Sequence, residues 1–296
     1  MPFTCSLCPR RCQAPRFKGE LGDCGVPETA RVARAALHFG EEPCISGTRG
    51  SGTVFFSGCQ LHCKFCQNYG ISQERAGWEV SPARLSEIFR ELEEAGAHNI
   101  NLVSATQFVP VILKALKLYR PSVPLVYNCG GYERVETLRA LEGYVDVYLP
   151  DMKYADNALA LALSGVPDYF EAAAAALQEM ARQTGPMTLD NEGIARRGTM
   201  VRHLVLPGHT KNSMAVLQWL ADNLPQGVWV SLLFQYTPLR EIDGFPELSR
   251  RLTRRERNKV FDRMVDLGLT DGYAQEAGSD TAAFIPAFDG TGVWNH

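Results

Sequence analysis

Residues 52–68 read "GTVFFSGCQLHCKFCQN". The first half is a short β-branched and aromatic run bounded by glycines, which has the character of a buried strand. Three cysteines, Cys59, Cys63 and Cys66, follow directly on the loop that leaves it. Three thiolates can hold three irons of a cubane cluster that normally takes four ligands. The missing fourth leaves one iron open, and an open metal position is where chemistry rather than scaffolding takes place. The same residues also admit a three-cysteine zinc site completed by His62, or free buried thiols. Zinc knuckles commonly space their ligands in two pairs, and His62 directly adjoins Cys63, so spacing favours iron and sulfur.

Outward from this loop, extended and helical runs alternate. "SPARLSEIFRELEEAG" (81–96) carries a Ser cap, a Pro in the first turn, apolar residues at 85, 88, 89 and 92, and a terminal Gly, which are helix start and stop signals. Strands are expected in "NINLVSA", "PLVYN", "VDVYLPD", "TMVRHLVLPG" and "VWVSLLFQ", with helices in "VPVILKALKLY", "ERVETLRALEG", "DYFEAAAAALQEMARQ" and "SMAVLQWLADN". A last helix starts at Thr253, which has capping-box spacing to Glu256, and "GYAQE" (272–276) suggests one more short strand. About six strand–helix units call for a parallel sheet with right-handed crossovers. On count alone, an open doubly wound sheet and an incomplete barrel fit equally well. In both, functional groups gather at the carboxyl ends of the strands.

The chain has 296 residues, 45 % hydrophobic and 21 % charged, enough for one large domain or a domain with an appendage. A net charge of −3 gives no electrostatic case for nucleic acid or an acidic membrane. The basic run "RRLTRRER" (250–257) is best taken as a solvated helix start. The opening "MPFTCSLCPRRC" lacks an apolar signal core, and no apolar run approaches the roughly 20 residues of a membrane span. A cytoplasmic protein is expected.

Nine cysteines are present, seven of them in two tight clusters. Without a secretory signal, clustered cysteines point to metal rather than disulfides. The N-terminal set, Cys5, Cys8, Cys12 and Cys24, has four thiols and can close a site, either an auxiliary [4Fe–4S] cluster or zinc. Residues 1–50 are accordingly expected as a cysteine-rich metal-binding extension, with a helix-compatible run around "ARVARAALHF", and residues 51–296 as the core domain. Cys44 and Cys129 are expected to be ordinary buried thiols.

The C-x3-C-x2-C spacing after the first strand, with aromatic Phe65 before the last cysteine, resembles the radical S-adenosylmethionine (SAM) superfamily. "GTVFFSGCQLHCKFCQN", "VYNCGGYE", "VDVYLPDMKY", "LVLPGHT" and "FQYTP" resemble its pyruvate formate-lyase activating-enzyme-like branch, and within it the PflX-like subgroup. The resemblance implies an α/β fold, a partial (βα)6 TIM-like barrel with an N-terminal cysteine-rich extension. It also implies a [4Fe–4S] cluster whose open iron chelates SAM, reductive cleavage to a 5′-deoxyadenosyl radical, and hydrogen abstraction from a substrate. An electron donor such as flavodoxin or ferredoxin would be needed.

SAM contacts are sought where strands end. Phe65 belongs to the motif. Ser104 and Thr106 follow the second strand and offer hydroxyls, although "SATQ" stands where family members carry a Gly-Gly-Glu-like stretch; a polar helix cap is the plainer alternative. Asn128 ends the third strand before two glycines, suiting a ribose contact or a turn. Asp151 and Lys153 suit a zwitterionic amino-acid end, and the family's activating enzymes use a matching Asp-x-Lys. Arg202, in the fifth strand, needs an anionic partner if it faces inward; the methionine carboxylate would serve. Gln235 and Tyr236 end the sixth strand, where related enzymes present a His.

Three functions follow. One is an activase-like enzyme acting on a glycine Cα–H of a glycyl radical enzyme. Another is a radical SAM enzyme modifying a small molecule, peptide or RNA. The third, least favoured, is a non-catalytic electron-transfer module.

Overall fold

Strand β1 (Ala30–His38) leads through the single-turn helix α1 (Pro43–Ser46) into β2 (Ser51–Phe56), the strand expected from "GTVFFSG". This is a computed structural model that describes residues 4–275 and 285–294. After the cysteine loop come α2 (Tyr69–Ser72), β3 (Trp78–Val80) and α3 (Pro82–Glu94), the last capped by the Ser81 side chain accepting from the Arg84 amide. The chain then alternates through β4 (Ile100–Val103), α4 (Val109–Leu118), β5 (Leu125–Cys129), α5 (Val135–Ala140) and β6 (Val147–Pro150). Two helices follow, α6 (Asn157–Ser164) and α7 (Tyr169–Thr184), then the two-residue strand β7 (Thr188–Leu189) and β8 (Ala195–Leu204). Helix α8 (Thr210–Asn223), β9 (Trp229–Leu233), α9 (Arg254–Asp266) and β10 (Gly272–Ala274) complete it. Glu276, the last residue of the expected "GYAQE" strand, lies outside the described residues.

The sheet order is β10-β9-β8-β6-β5-β4-β2-β1-β3. From β2 to β10 every neighbour on this path is parallel, and β1 and β3 add antiparallel at the far edge. The path has two ends that do not meet among the described residues, so the barrel is partial. Its interior is plugged by α1: Cys44 and Ile45 pack against Val126, Val147, Leu149, Ala195 and Met200 of β5, β6 and β8. The outer faces carry α3, α4 and α5 on one core and α6, α8 and α9 on another, with α7 packed into both. Among the described residues no helix is long and apolar enough to cross a membrane.

The run "ARVARAALHF", expected as helix-compatible within an extension, is instead the nine-residue strand β1 and part of the main sheet. Its register slips between Val32 and Arg34. The bulge puts Val32 and Ala33 side by side in buried positions, which erases the period-two pattern that would have marked a strand. Alanine and arginine are strong helix formers, but intrinsic propensity is a weak determinant, and pairing on both sides by β2 and β3 overrides it. The sheet therefore begins N-terminal to residue 51.

Candidate active site at the carboxyl ends of the strands

The turn that ends β2 sets the position of the cysteine loop. Gly58 has φ +77, and a Cβ there would lie 2.7 Å from both the Cys24 carbonyl oxygen and Val26 Cγ1. Only glycine permits this backbone and this approach of the N-terminal segment. The Gln107 side chain fastens the same turn, donating to the carbonyls of Ser57 (3.1 Å), Gly58 (2.9 Å) and Ser104 (2.8 Å).

Cys59, Cys63 and Cys66 all line one cavity of about 220 Å³. Each sulfur receives a donor from the protein: the Leu61 amide on Cys59 (3.4 Å), the Ser164 hydroxyl on Cys63 (3.0 Å) and the Ser72 hydroxyl on Cys66 (3.3 Å). Donors aimed at sulfur are what ligating thiolates in an iron–sulfur site require. Burial pushes the Cys59 thiol well above the usual range and Cys63 up to about 11, with Lys153 opposing both shifts. A metal bound by Cys59 and Cys63 must displace these protons. The donor set fits a cluster. His62 is not part of it, because its ring donates to the Asp23 carbonyl at 2.9 Å.

Asp151, Lys153, Arg202, Asn128, Ser104 and Gln235 line the same cavity, as does Phe65 from the loop itself. Lys153 and Arg202 flank Asp151: Lys153 Nζ bonds Oδ2, and Arg202 Nε donates to Oδ1 at 3.1 Å. Burial opposes ionisation of Asp151, but the two cations outweigh it and hold the carboxyl below its ordinary value. Ser104 is held at φ +57, unusual for a residue with a side chain.

A residue absent from the sequence reasoning completes the cluster. Glu41 Oε2 accepts from Arg202 (3.1 Å), and its Oε1 accepts from Asn101 (3.2 Å) and Asn128 (3.1 Å). Arg202 thus finds its anionic partners in Asp151 and Glu41 within the chain, where a methionine carboxylate had been expected. Glu41 precedes the α1 plug in an irregular segment, and nothing in the local sequence pattern marks it. His203, next to Arg202, is a packed neutral histidine between the Met152 carbonyl and Ser213, lowered to about 4 by burial.

Thr106 stands elsewhere. Its hydroxyl donates to Glu133 Oε1 at 2.6 Å, and Gln60 Nε2 reaches both Thr106 (3.0 Å) and Glu133 (3.1 Å). It braces the cysteine loop from behind instead of lining the cavity. Tyr236 is buried and donates to the Leu248 carbonyl at 2.6 Å. Cys129 is buried at the end of β5 and borders the cavity, while Cys44 lies in the plug.

The four N-terminal cysteines meet on the far side of this brace. A Cβ on Gly22 would sit 3.2 Å from Cys12 Sγ and 3.6 Å from Cys24 Sγ. Burial pushes Cys8 up to about 12, with Cys24 and Cys5 among the charges that add to the shift. Arg16 ties the segment to the barrel, donating to the carbonyls of Val26 (3.0 Å), Pro27 (2.5 Å) and Gln107 (2.8 Å). Arg10 donates to the Gln60 carbonyl at 2.5 Å.

Comparison with known proteins agrees with this geometry. Residues 53–220 match the family described as the radical SAM superfamily. An uncharacterized protein of Methanocaldococcus jannaschii, MJ0674, is 31 % identical over 268 residues, covering 87 % of this chain and 73 % of that one. Among solved structures, a radical SAM methyltransferase from Sphaerobacter thermophilus aligns with TM-score 0.52 and 16 % identity over 78 % of this chain and 68 % of its own. SuiB from Streptococcus suis, bound to S-adenosylmethionine, aligns with TM-score 0.50 and 12 % identity over 76 % of this chain. The present chain spans 49 % of SuiB. At such identities the structural likeness is one of fold.

Proposed function

The chain belongs to the radical SAM superfamily, and from that premise we propose that it is an oxidoreductase which cleaves SAM reductively and abstracts a hydrogen atom from a substrate. The observation that carries this is the triad of Cys59, Cys63 and Cys66 on one cavity, each sulfur with its own donor. When bound, the [4Fe–4S] cluster and SAM supply one-electron cleavage of the sulfonium and the means to remove hydrogen from carbon.

The chain's own residues supply holding and orientation. The three cysteines ligate, and the Leu61, Ser164 and Ser72 donors stabilise sulfur charge. Asp151 and Lys153 receive the amino-acid end, while Arg202 and Glu41 fix Asp151 and Asn128 in place. Phe65, Ser104 and Gln235 border the remainder. The electron comes from a partner of the flavodoxin or ferredoxin class.

For the N-terminal cysteines the reading is a second cubane. The compact C-x2-C-x3-C start of this set is the spacing of an iron–sulfur segment, and zinc held by the four thiols is the alternative.

Activase-like action on a protein glycine is one substrate assignment. The apolar wall of the cavity, lined by His38, Phe55, Ile71 and Val103, favours the other, a small substrate.

Anaerobic reconstitution of wild type beside Cys63→Ala tests the proposal. Wild type should form 5′-deoxyadenosine with reductant and SAM, Cys63→Ala should not, and about eight irons per chain mark two cubanes. A fully loaded wild type that yields no 5′-deoxyadenosine overturns the enzyme assignment.

A further inference from the structure

The cavity has two unlike halves, and only one is accounted for above. On the polar half, the carboxylates of Glu41 and Asp151 and the cations of Lys153 and Arg202 neutralise each other through direct bonds. That half is committed to the amino-acid end of SAM. The other half is built by β1, β2 and the C-terminal segment. His38, Phe55, Ile71, Val103 and Pro286 line it. The rings of His38 and Phe55 meet edge-on at 5.6 Å, and Phe288 backs Phe55 at 5.5 Å.

The wall is held rigidly. The Ala35 amide donates to the Thr291 carbonyl (2.8 Å) and the Gly290 amide to the Ala33 carbonyl (3.0 Å). Arg34 reaches the Ala287 carbonyl and the Asp289 carboxylate, both at 3.1 Å, and Arg84 donates to the carbonyls of Val293 and Gly292. Val293 is fully buried in the core beneath α3. Residues 285–294 are therefore clamped along the β1 edge as a fixed part of the cavity.

His38 adds a polar ring to this half. Among the described residues its ring nitrogens have no hydrogen-bond partner, and burial, with Arg34, lowers its pKa. It faces a ligand as neutral imidazole, able to give or take one hydrogen bond.

We propose that His38, Phe55 and the Phe288-backed edge form the substrate subsite, and that it takes a neutral aromatic or branched aliphatic group of a small organic molecule. This rests on the radical SAM assignment of the opposite half. A glycine presented on a protein loop brings peptide N–H and C=O groups on either side of the reacting Cα–H. Against the apolar side chains of this wall most of them would go unpaired, and each unsatisfied group costs about 1–3 kcal/mol. An apolar ring or branched chain incurs no such cost and gains buried area.

The test uses the reconstituted protein with SAM bound. Ligand-observed NMR and titration measure binding of three probes: indole, benzoate and a short peptide with a central glycine. Indole should bind, with benzoate and the peptide each at least about tenfold weaker. Phe55→Ala should lose about tenfold in indole affinity, and His38→Phe should retain indole binding but lose selectivity for ring N–H over N-methylindole. Circular dichroism of each variant confirms folding; should Phe55→Ala misfold, Phe288→Ala replaces it with the same expectation. Indole binding that is absent in wild type, unchanged in Phe55→Ala (or in Phe288→Ala where that replaces it), or weaker than that of the peptide overturns the subsite. Formation of 5′-deoxyadenosine in the same samples reports separately on the radical SAM assignment, so failure of one is distinguishable from failure of the other.

Discussion

Glu133 is fully enclosed, and Thr106, Gln60 and Tyr127 all bond to its carboxylate. Burial pushes its carboxyl up to about 7 against these hydrogen bonds, which pull the other way. The folded protein keeps a proton that the unfolded chain releases above about pH 4.5. The stability from this group is complete below that pH and is lost as pH rises toward 7, roughly 3 kcal/mol in all. Glu133→Gln keeps the shape and most bonds but does not titrate. Melting temperatures of both proteins between pH 5 and 8 should show wild type falling by roughly 5 °C relative to the variant; parallel curves would contradict the buried, protonated carboxyl. The same residue illustrates what a sequence conceals at this scale. Spacing in the cysteine triad and Asp-x-Lys is short-range and therefore visible. Glu41 and Glu133 acquire their roles from partners on other strands, and no local pattern announces them. Thr106 was a candidate by position, but the 3-10 turn Thr106–Phe108 directs its hydroxyl to Glu133 behind the loop.

Among the elements, those whose signals are local came out as expected. The α9 capping box forms in full, with Thr253 accepting from the Glu256 amide and the Glu256 side chain accepting from the Thr253 amide. Thr253→Ala should therefore cost about 1 kcal/mol, measured by urea unfolding. No change would mean that the Glu256 bonds to Arg250 and Gly208 carry the cap alone. Strand β1 is the counter-example, because its bulge and its two-sided pairing are tertiary. Its clamp by the C-terminal segment gives a sharper prediction. Gly292 has φ +70, and a Cβ there would fall 2.0 Å from the Ala35 carbonyl oxygen. Gly292→Ala should displace this segment at a cost of about 1–3 kcal/mol. Hydrogen exchange at the Ala35 amide, which donates to Thr291, should accelerate correspondingly. An unchanged rate there would show that the segment does not depend on this contact.

At the scale of the molecule, the two cysteine sets are parts of one assembly. Sequence spacing separates them by two strands and a plug, yet the N-terminal segment lies against the back of the cysteine loop. Arg10 holds the Gln60 carbonyl, Arg16 holds the Gln107 carbonyl, and Gln107 holds the turn at Gly58. Arg134 and Thr137 complete the attachment through the carbonyls of Ser6 and Leu7. The alternation of strands and helices could announce a parallel sheet, but not whether it closes or what covers its edges, since those depend on contacts between distant segments. The consequence is that damage to one site should reach the other. Arg16 is buried and serves three carbonyls at once; Arg16→Met leaves them without a donor, each at about 1–3 kcal/mol. With the proposed second cubane on the N-terminal cysteines, iron in the reconstituted variant should fall by about four per chain, the content of one cubane. Amides of residues 58–66 should exchange faster although their own ligands are intact, because the Gln107 brace is loosened from behind. Loss of N-terminal iron with unchanged exchange in the radical loop would mean that the two sites are neighbours without mechanical coupling.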